Sequence, residues 1–230
     1  RYIMGLYEVL GRIFAPRPHI LLESCSSGGN RFDLGMLCYS PQIWASDDTD
    51  PIERLDIQGG LSYLYPQSTM GAHVSAAPHQ QTLRDTPLST RFNVAAFGVL
   101  GYELELKYMT KAELKELRGQ IAFYKKHRKT LQYGRFYRFD EHKANKLHWQ
   151  VSSKDGKEHI VGHFQKLCTA SEGYDMLSVH DLEPNARYHL VCKRQSLFIK
   201  RLGGLVRHVM PLELDPDGLL LRTANKLFTM

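Results

Sequence analysis

The feature that most constrains the fold of this chain is a change in hydrophobic pattern close to Gly134. Before this residue, short apolar segments alternate with stretches of helical periodicity, whereas beyond it apolar residues tend to recur at every second position. Alternating strand and helix patterns are typical of parallel α/β units, and a period of two is typical of antiparallel strands. We therefore predict two domains, at residues 1–133 and 134–230.

The first domain is predicted to contain three strand–loop–helix units. Its strands are expected at residues 19–23, 42–46 and 71–75. Its helices are expected at residues 2–14, from Pro51 onward, and at about 90–105. Short apolar strands followed by polar loops suit a TIM (β/α)8 barrel, which has eight such units. Because only three of these eight units are expected here, we predict that the domain is part of a barrel.

A long helix is predicted next, at about residues 111–132, followed by strands. Thr110 and Glu113 form a capping box, and Gly134 is placed to end the helix. Residues 154–157 separate two alternating segments, which predicts a hairpin. Further strands are expected at residues 188–192 and 197–200. The second domain is thus predicted to be a small antiparallel β-sandwich.

The composition argues against several classes of protein. No apolar run approaches the roughly 18 residues of a membrane span. The four cysteines, at positions 25, 38, 168 and 192, are too sparse for a disulfide framework, so we expect a cytoplasmic protein without a membrane partner. The net charge of +6 arises from the second half, where a solvated basic surface is expected rather than nucleic acid binding. The eleven histidines show no metal-ligand spacing.

One polar segment after a predicted strand reads Trp44-Ala-Ser-Asp47-Asp48-Thr-Asp50. Three neighbouring carboxylates repel one another, which favours protonation of one of them. A nearby tryptophan lowers the local polarity and acts in the same direction. Loops that follow barrel strands also carry the catalytic groups of barrel enzymes. From spacing alone, however, such a cluster more often caps a helix or binds a cation, and Asp50 is expected to cap the next helix.

A second segment after a predicted strand holds Cys25 and the pair Gly28 and Gly29. Adjacent glycines allow a ligand to approach the backbone N–H groups closely. Cys25 is either a ligand contact or a space-filling residue, and nothing marks it as a nucleophile. The Gly-Lys-Ser/Thr sequence of a phosphate-binding loop is missing.

Together, the two segments resemble the α-galactosidases of glycoside hydrolase family 36. The likeness rests on residues 23–35, 41–50 and 53–55. It continues through residues 65–66, 70–75, 81–82, 86–88, 90–91 and 101–104. It is dense over the first domain and looser over the second. The resemblance implies that residues 1–133 are the C-terminal portion of the catalytic barrel.

This resemblance also implies an activity, the retaining hydrolysis of terminal α-linked galactose from oligosaccharides such as melibiose and raffinose. Such enzymes use two carboxylates and a covalent glycosyl-enzyme intermediate. By its place in the motif, Asp47 would be the acid/base catalyst. Cys25, Gly28 and Gly29 would contact galactose, and Trp44 would shape the pocket. Asp48 and Asp50 would be structural neighbours. The family needs no metal or cofactor, and a homo-oligomer is expected for the full-length enzyme.

The chain departs from the family pattern at the nucleophile. In the family, the nucleophilic Asp lies in a Lys-Trp-Asp motif on an earlier strand, but Trp44 and Trp149 are the only tryptophans here and neither lies in such a motif. Since the chain also begins at Arg1 rather than Met, we expect a fragment that is inactive alone. Two alternatives stay open: a truncated, non-catalytic product, and α-N-acetylgalactosaminidase or galactosyl transfer activity on the same scaffold.

Overall fold

The computed structural model of this chain describes residues 1–139, 145–167 and 177–192. Most of them lie in one compact unit, Arg1–Arg187, and residues 188–192 belong to a second unit, Tyr188–Met230. Residues 188–192 have no regular secondary structure, so the strand predicted there is wrong. A strand needs a partner for its backbone groups, and the predicted neighbour at 197–200 lies outside the described residues.

Four parallel strands form the first sheet, in the order β1-β2-β3-β4. They are β1 (Glu23–Ser24), β2 (Gln42–Trp44), β3 (Met70–Ser75) and β4 (Val99–Glu103). Four helices of eight or more residues accompany them: α1 (Tyr2–Phe14), α2 (Pro51–Leu61), α3 (Leu88–Ala95) and α4 (Lys111–Tyr133). A shorter helical turn lies at Ser26–Gly29. Short 3-10 turns lie at Met36–Cys38, Gln67–Thr69 and Leu106–Tyr108. This is the repeated β/α arrangement of a partial TIM barrel, as the sequence predicts.

The fourth strand corrects the prediction of a helix at residues 90–105. Helix α3 ends at Ala95, and β4 pairs with β3 from Val99 onward. Gly98 permits this approach, because a Cβ atom there would lie 2.8 Å from both the Ala72 Cβ and the Met70 carbonyl oxygen. The apolar pattern of this segment is compatible with a helix or a strand, and pairing with β3 makes it a strand.

The first strand is shorter than predicted. Only Glu23 and Ser24 pair with β2, and Ile20 and Leu21 are exposed. Within the described sheet, β1 is an edge strand with a single neighbour, so the apolar residues before it have no second strand to cover them.

Side chains stabilise the starts of α2 and α4 as predicted. Asp50 Oδ1 accepts the backbone N–H of Ile52 at 2.8 Å, and Thr110 and Glu113 form a reciprocal capping box. Gly134 follows α4 with a φ of −73°, so no left-handed cap is needed there. A glycine is still required, because a Cβ atom would lie 2.5 Å from the carbonyl oxygen of Ser152.

A second, antiparallel sheet follows α4 and confirms the predicted change of pattern. Its strands are β5 (Arg135–Phe139), β6 (Lys146–Ser152) and β7 (His159–Gln165), in that order. The turn between β6 and β7 contains the predicted hairpin residues 154–157. The domain boundary between residues 133 and 134 stays a prediction.

The two sheets share one hydrophobic core. Phe97, which lies between α3 and β4, packs edge to face against Trp149 of β6 and Phe164 of β7, with ring centroids 5.4 and 6.1 Å apart. Ala72 and Val74 of β3 belong to the same buried cluster. In the described residues, no helix is both long and apolar enough to cross a membrane.

Candidate active site at the ends of β1 and β2

Asp47 lies three residues beyond the end of β2 and is exposed. The indole Nε1 of Trp44 donates a hydrogen bond to Asp47 Oδ1 at 2.9 Å. Among the described residues, this is the only hydrogen bond to the Asp47 carboxylate. One oxygen is therefore held in place while the other is free to meet a ligand, as a general acid or base requires.

Two side chains pack against Trp44. The Arg54 guanidinium carbon lies 4.8 Å from the centre of the indole on which it stacks, and the His73 ring centroid lies 4.4 Å away. Gly71 lines the same space, because a Cβ atom there would approach Trp44 Cε3 to 3.0 Å. The position of the hydrogen-bond donor to Asp47 is thus fixed by packing on several sides.

The glycine segment predicted to contact a ligand forms a left-handed turn. Ser26, Ser27, Gly28 and Gly29 have φ values of 58°, 54°, 75° and 90°. The backbone N–H of Gly29 closes this turn by donating to the Cys25 carbonyl at 3.1 Å. Left-handed backbone costs roughly 1–2 kcal/mol for each non-glycine residue, so the two serines are strained.

This left-handed turn directly contacts the Asp47 segment. A Cβ atom at Gly28 would lie 2.9 Å from the backbone nitrogen of Asp47, and one at Gly29 would lie 2.6 Å from the carbonyl oxygen of Ala45. Cys25 is exposed and unpaired at the start of the turn, so it does not serve to fill space. The structure therefore brings all five predicted site residues together: Cys25, Gly28, Gly29, Trp44 and Asp47.

The other two carboxylates of the acidic segment are engaged in the protein. Asp48 Oδ1 accepts the backbone N–H of Asp50 at 3.0 Å. Asp50 is fully buried, and it accepts hydrogen bonds from Thr82 Oγ1 and Arg84 Nη1, both at 2.5 Å, in addition to capping α2. Burial alone would raise the pKa of Asp50, but these hydrogen bonds outweigh it and lower the pKa below its usual value.

Arg54 belongs to the site but escaped prediction. Its side chain is 2% exposed and donates to three carbonyl oxygens: those of Ser46 at 2.6 Å, Asp48 at 2.6 Å and Gly71 at 3.0 Å. Burial lowers the pKa of Arg54 to about 10, although nearby carboxylates oppose this. One signal was present in the sequence: a cation close to the start of a helix is electrostatically unfavourable and calls for a specific partner.

His73, on β3, extends the site toward β4. Its Nδ1 lies 3.6 Å from Glu103 Oε2, at the end of β4. Burial lowers the pKa of His73, and the charge of Arg54 lowers it further, while Glu103 acts in the opposite direction. The neutral imidazole is therefore favoured beside Trp44. In the parts of the chain that the structure describes, no three His, Cys, Asp or Glu side chains are grouped to hold a metal ion.

Comparison with known proteins identifies the family of this chain. The family model for melibiase matches residues 1–134, and that for the glycosyl hydrolase family 36 C-terminal domain matches residues 146–219. The α-galactosidase AgaA of Geobacillus stearothermophilus is 45% identical over 191 residues, which are 83% of this chain and 26% of AgaA. The α-galactosidase Mel36A of Lactobacillus acidophilus is 42% identical over 194 residues, with 82% and 26% of the two chains covered.

Solved structures give the same result. The crystal structure of the α-galactosidase from Lactobacillus brevis superposes with a TM-score of 0.79 and 49% identity, covering 82% of this chain and 26% of that chain. A variant of AgaA in complex with raffinose superposes with a TM-score of 0.77 and 45% identity, covering 80% and 26%. The chain thus spans about a quarter of the length of the relatives it matches. The match of residues 1–134 to the family model, together with these identities, shows that this chain belongs to the melibiase family, the α-galactosidases of glycoside hydrolase family 36.

Proposed function

We propose that this chain provides the acid/base half of the active site of a retaining α-galactosidase. Asp47 would protonate the leaving oxygen of the substrate and then deprotonate the incoming water. The observation that carries the proposal is the state of the Asp47 carboxylate, which is exposed, with one oxygen fixed by Trp44 at 2.9 Å. The substrate class is supported by the related structures that contain raffinose and stachyose.

We further propose that the left-handed turn binds the galactose unit. Gly28 adjoins the backbone of Asp47, so a sugar held by this turn would lie beside the acid/base carboxylate. Cys25 and the backbone at Gly28 and Gly29 would contact the sugar. Trp44 would form one wall of the pocket and orient the Asp47 carboxylate toward the sugar through its hydrogen bond.

The nucleophile, in this proposal, comes from outside these 230 residues. A retaining mechanism needs a second carboxylate about 5–5.5 Å from the first. Three described carboxylates near Asp47 have other partners: Asp48 accepts the backbone N–H of Asp50, Asp50 accepts from Thr82 and Arg84, and Glu103 lies 3.6 Å from His73. We therefore expect the chain by itself to hydrolyse α-galactosides negligibly, and the complete enzyme to be active.

We also propose that the complete enzyme is a cytoplasmic homo-oligomer. Cys25, Cys38 and Cys192 are unpaired and exposed, which suits a reducing compartment. The exposed apolar side chains of α1 are available for contacts with other protein surfaces. Light scattering of the complete enzyme measures its oligomeric state.

The decisive experiment is Asp47→Ala in the complete enzyme, with Asp48→Ala as the matched control. Hydrolysis should slow most for substrates with poor leaving groups, because these need protonation in the transition state. With activated aryl α-galactosides the covalent intermediate should accumulate, and azide, which needs no base, should restore turnover and form an azido sugar. If azide rescued Asp48→Ala and not Asp47→Ala, the acid/base catalyst would be Asp48, and the assignment of this role to Asp47 would be wrong.

A further inference from the structure

Arg54 holds the chain on both sides of Asp47. Its Nη2 donates to the carbonyl oxygen of Ser46 and its Nε donates to that of Asp48, each at 2.6 Å. Because a peptide group is planar, each hydrogen bond fixes the orientation of a whole peptide plane. The direction in which the Asp47 side chain leaves the backbone is thereby set from both sides.

The same guanidinium also holds the partner of Asp47. Arg54 stacks on the Trp44 indole with 4.8 Å from its carbon to the ring centre, and it donates to the Gly71 carbonyl at 3.0 Å. This third hydrogen bond ties the assembly to β3. One side chain thus connects the backbone of Asp47, the hydrogen-bond donor to its carboxylate, and the sheet beneath them.

A cation at this position is costly in free energy. Arg54 is 2% exposed, and its three hydrogen bonds go to neutral carbonyl groups rather than to a carboxylate. Taking a charge out of water without such a partner is unfavourable. A guanidinium, however, offers five donors in a planar fork and a flat face for stacking, which neither lysine nor a neutral side chain provides. The planar shape of the guanidinium and its several donors, rather than its charge alone, explain why an arginine occupies this position.

We propose that Arg54 is a positioning residue for the acid/base step, one that acts by fixing the Asp47 backbone and the Trp44 indole in a single rigid arrangement. The inference rests on the proposed function, since it assigns Arg54 a part in proton transfer by Asp47. A positioning role differs from a simple folding role in one measurable respect. Loss of Arg54 should slow the hydrolysis of substrates whose leaving group must be protonated more than that of substrates whose leaving group need not be.

The test is Arg54→Lys in the complete enzyme, which keeps the charge but loses the planar fork. Its kcat/KM should fall roughly 100-fold for an α-galactosyl sugar, whose leaving group is poor, as a misplaced catalytic group typically produces. The loss for a nitrophenyl α-galactoside, whose leaving group needs little protonation, should be much smaller. Equal losses for both substrates would mean that Arg54 acts through folding alone and would overturn the inference.

Arg91→Lys is the matched control. Arg91 is a partly buried arginine of α3 that donates to the carbonyl of Ser75 at the end of β3, outside the Asp47 segment. If Arg91→Lys lowers activity, it should do so by the same factor for the α-galactosyl sugar and for the nitrophenyl α-galactoside. A preference for good leaving groups that is as large in Arg91→Lys as in Arg54→Lys would also overturn the inference.

A second readout follows the geometry without activity. The 230-residue chain contains two tryptophans, Trp44 and Trp149, so a ¹H–¹⁵N spectrum shows two indole N–H signals. Arg54→Lys should move or broaden the Trp44 signal and leave that of Trp149, in the shared core, in place. An unmoved Trp44 signal contradicts the inference. A complete enzyme that hydrolyses no α-galactoside would refute the proposed function and the inference with it, whereas activity with equal losses refutes the inference alone.

Discussion

Trp44 and Asp47 are joined by a hydrogen bond of 2.9 Å between the indole Nε1 and the carboxylate Oδ1, across the end of strand β2. The indole N–H is a donor only, so it can bond the carboxylate or the carbonyl oxygen of a carboxylic acid but cannot accept a proton itself. It can therefore orient Asp47 in both protonation states without competing for the proton that the proposed reaction transfers.

Replacement of Trp44 by Phe should weaken proton transfer while keeping an aromatic ring over Arg54. A hydrogen bond to a charged group contributes about 1.5–3 kcal/mol, so kcat/KM for galactosides with poor leaving groups should fall by one to two orders of magnitude. Trp149→Phe, in the core, should lower Tm without changing the preference among leaving groups. Steady-state kinetics with a series of aryl and alkyl α-galactosides measures both effects, and identical profiles would contradict the role given to the indole.

Gly28→Ala should distort the contact between the left-handed turn and Asp47. The φ of 75° costs an alanine roughly 1–2 kcal/mol, and its Cβ would lie 2.9 Å from the backbone nitrogen of Asp47, so something must shift. We expect lower stability in urea unfolding and lower kcat. Gly60→Ala, in α2 with open space around the new Cβ, should instead stabilise the protein by roughly 0.5–1 kcal/mol. A neutral result for Gly28→Ala would rule out the close contact.

Asp50 should make the stability of the protein sensitive to acid. Its pKa is lowered on folding, so its contribution is complete above the pKa of the unfolded chain, about 3.9, and is lost as the pH falls through the lower pKa of the folded state. Asp50→Asn should reduce the free energy of unfolding by about 1–3 kcal/mol at pH 7, because Arg84 and Thr82 lose their charged partner. The variant should also lose less stability than the wild type between pH 5 and pH 3.

Urea titrations at several pH values measure this difference, and Glu53→Gln is its control. Glu53 Oε1 bonds the same Arg84, at 3.2 Å, but its side chain is 44% exposed, whereas that of Asp50 is fully buried. An ion pair that stays in contact with solvent contributes roughly 0–1 kcal/mol, so this variant should change the acid sensitivity little. Equal effects of the two substitutions would show that burial of Asp50 has no energetic consequence.

Gly134→Ala should destabilise the protein through packing alone. Its φ of −73° suits any residue, but the new Cβ would lie 2.5 Å from the Ser152 carbonyl oxygen and 2.6 Å from that of Thr130. Overpacking of this kind typically costs about 1–3 kcal/mol. Gly119→Ala, in α4 with open space around it, should raise the stability. Thermal unfolding compares the two, and a stabilised Gly134→Ala would show that Gly134 acts only as a flexible residue.

Features set by neighbouring residues were predictable from the sequence. The caps at Asp50 and Thr110 depend on groups two or three positions away, and each is found as expected. The hairpin at residues 154–157 was equally local. The acidic and glycine segments drew attention because each follows a predicted strand of a parallel sheet, and such strands end on the same side. The roles of their residues, however, came from the family resemblance.

Features set by distant contacts were not predictable in the same way. Strand β4 depends on Gly98 fitting against β3, and the apolar residues around it suit a helix equally well. The role proposed for Arg54 requires carbonyl groups from the loop after β2 and from the start of β3 to converge on one side chain, which periodicity does not reveal. The left-handed φ values of Ser26 and Ser27 were also not predictable. The two glycines after them indicate a flexible turn but do not show that the turn extends back over the serines.

The shared core of Phe97, Trp149 and Phe164 bears on how such a protein can be recombined. Two family models meet near Gly134, which makes that point look like a natural place to exchange one half for another. A chimera joined there would bring together aromatic surfaces that had not been selected for each other, and mismatched cores lose stability and a unique fold. Libraries that shuffle these enzymes should therefore keep residues 97 to 165 from a single parent and place their crossovers elsewhere.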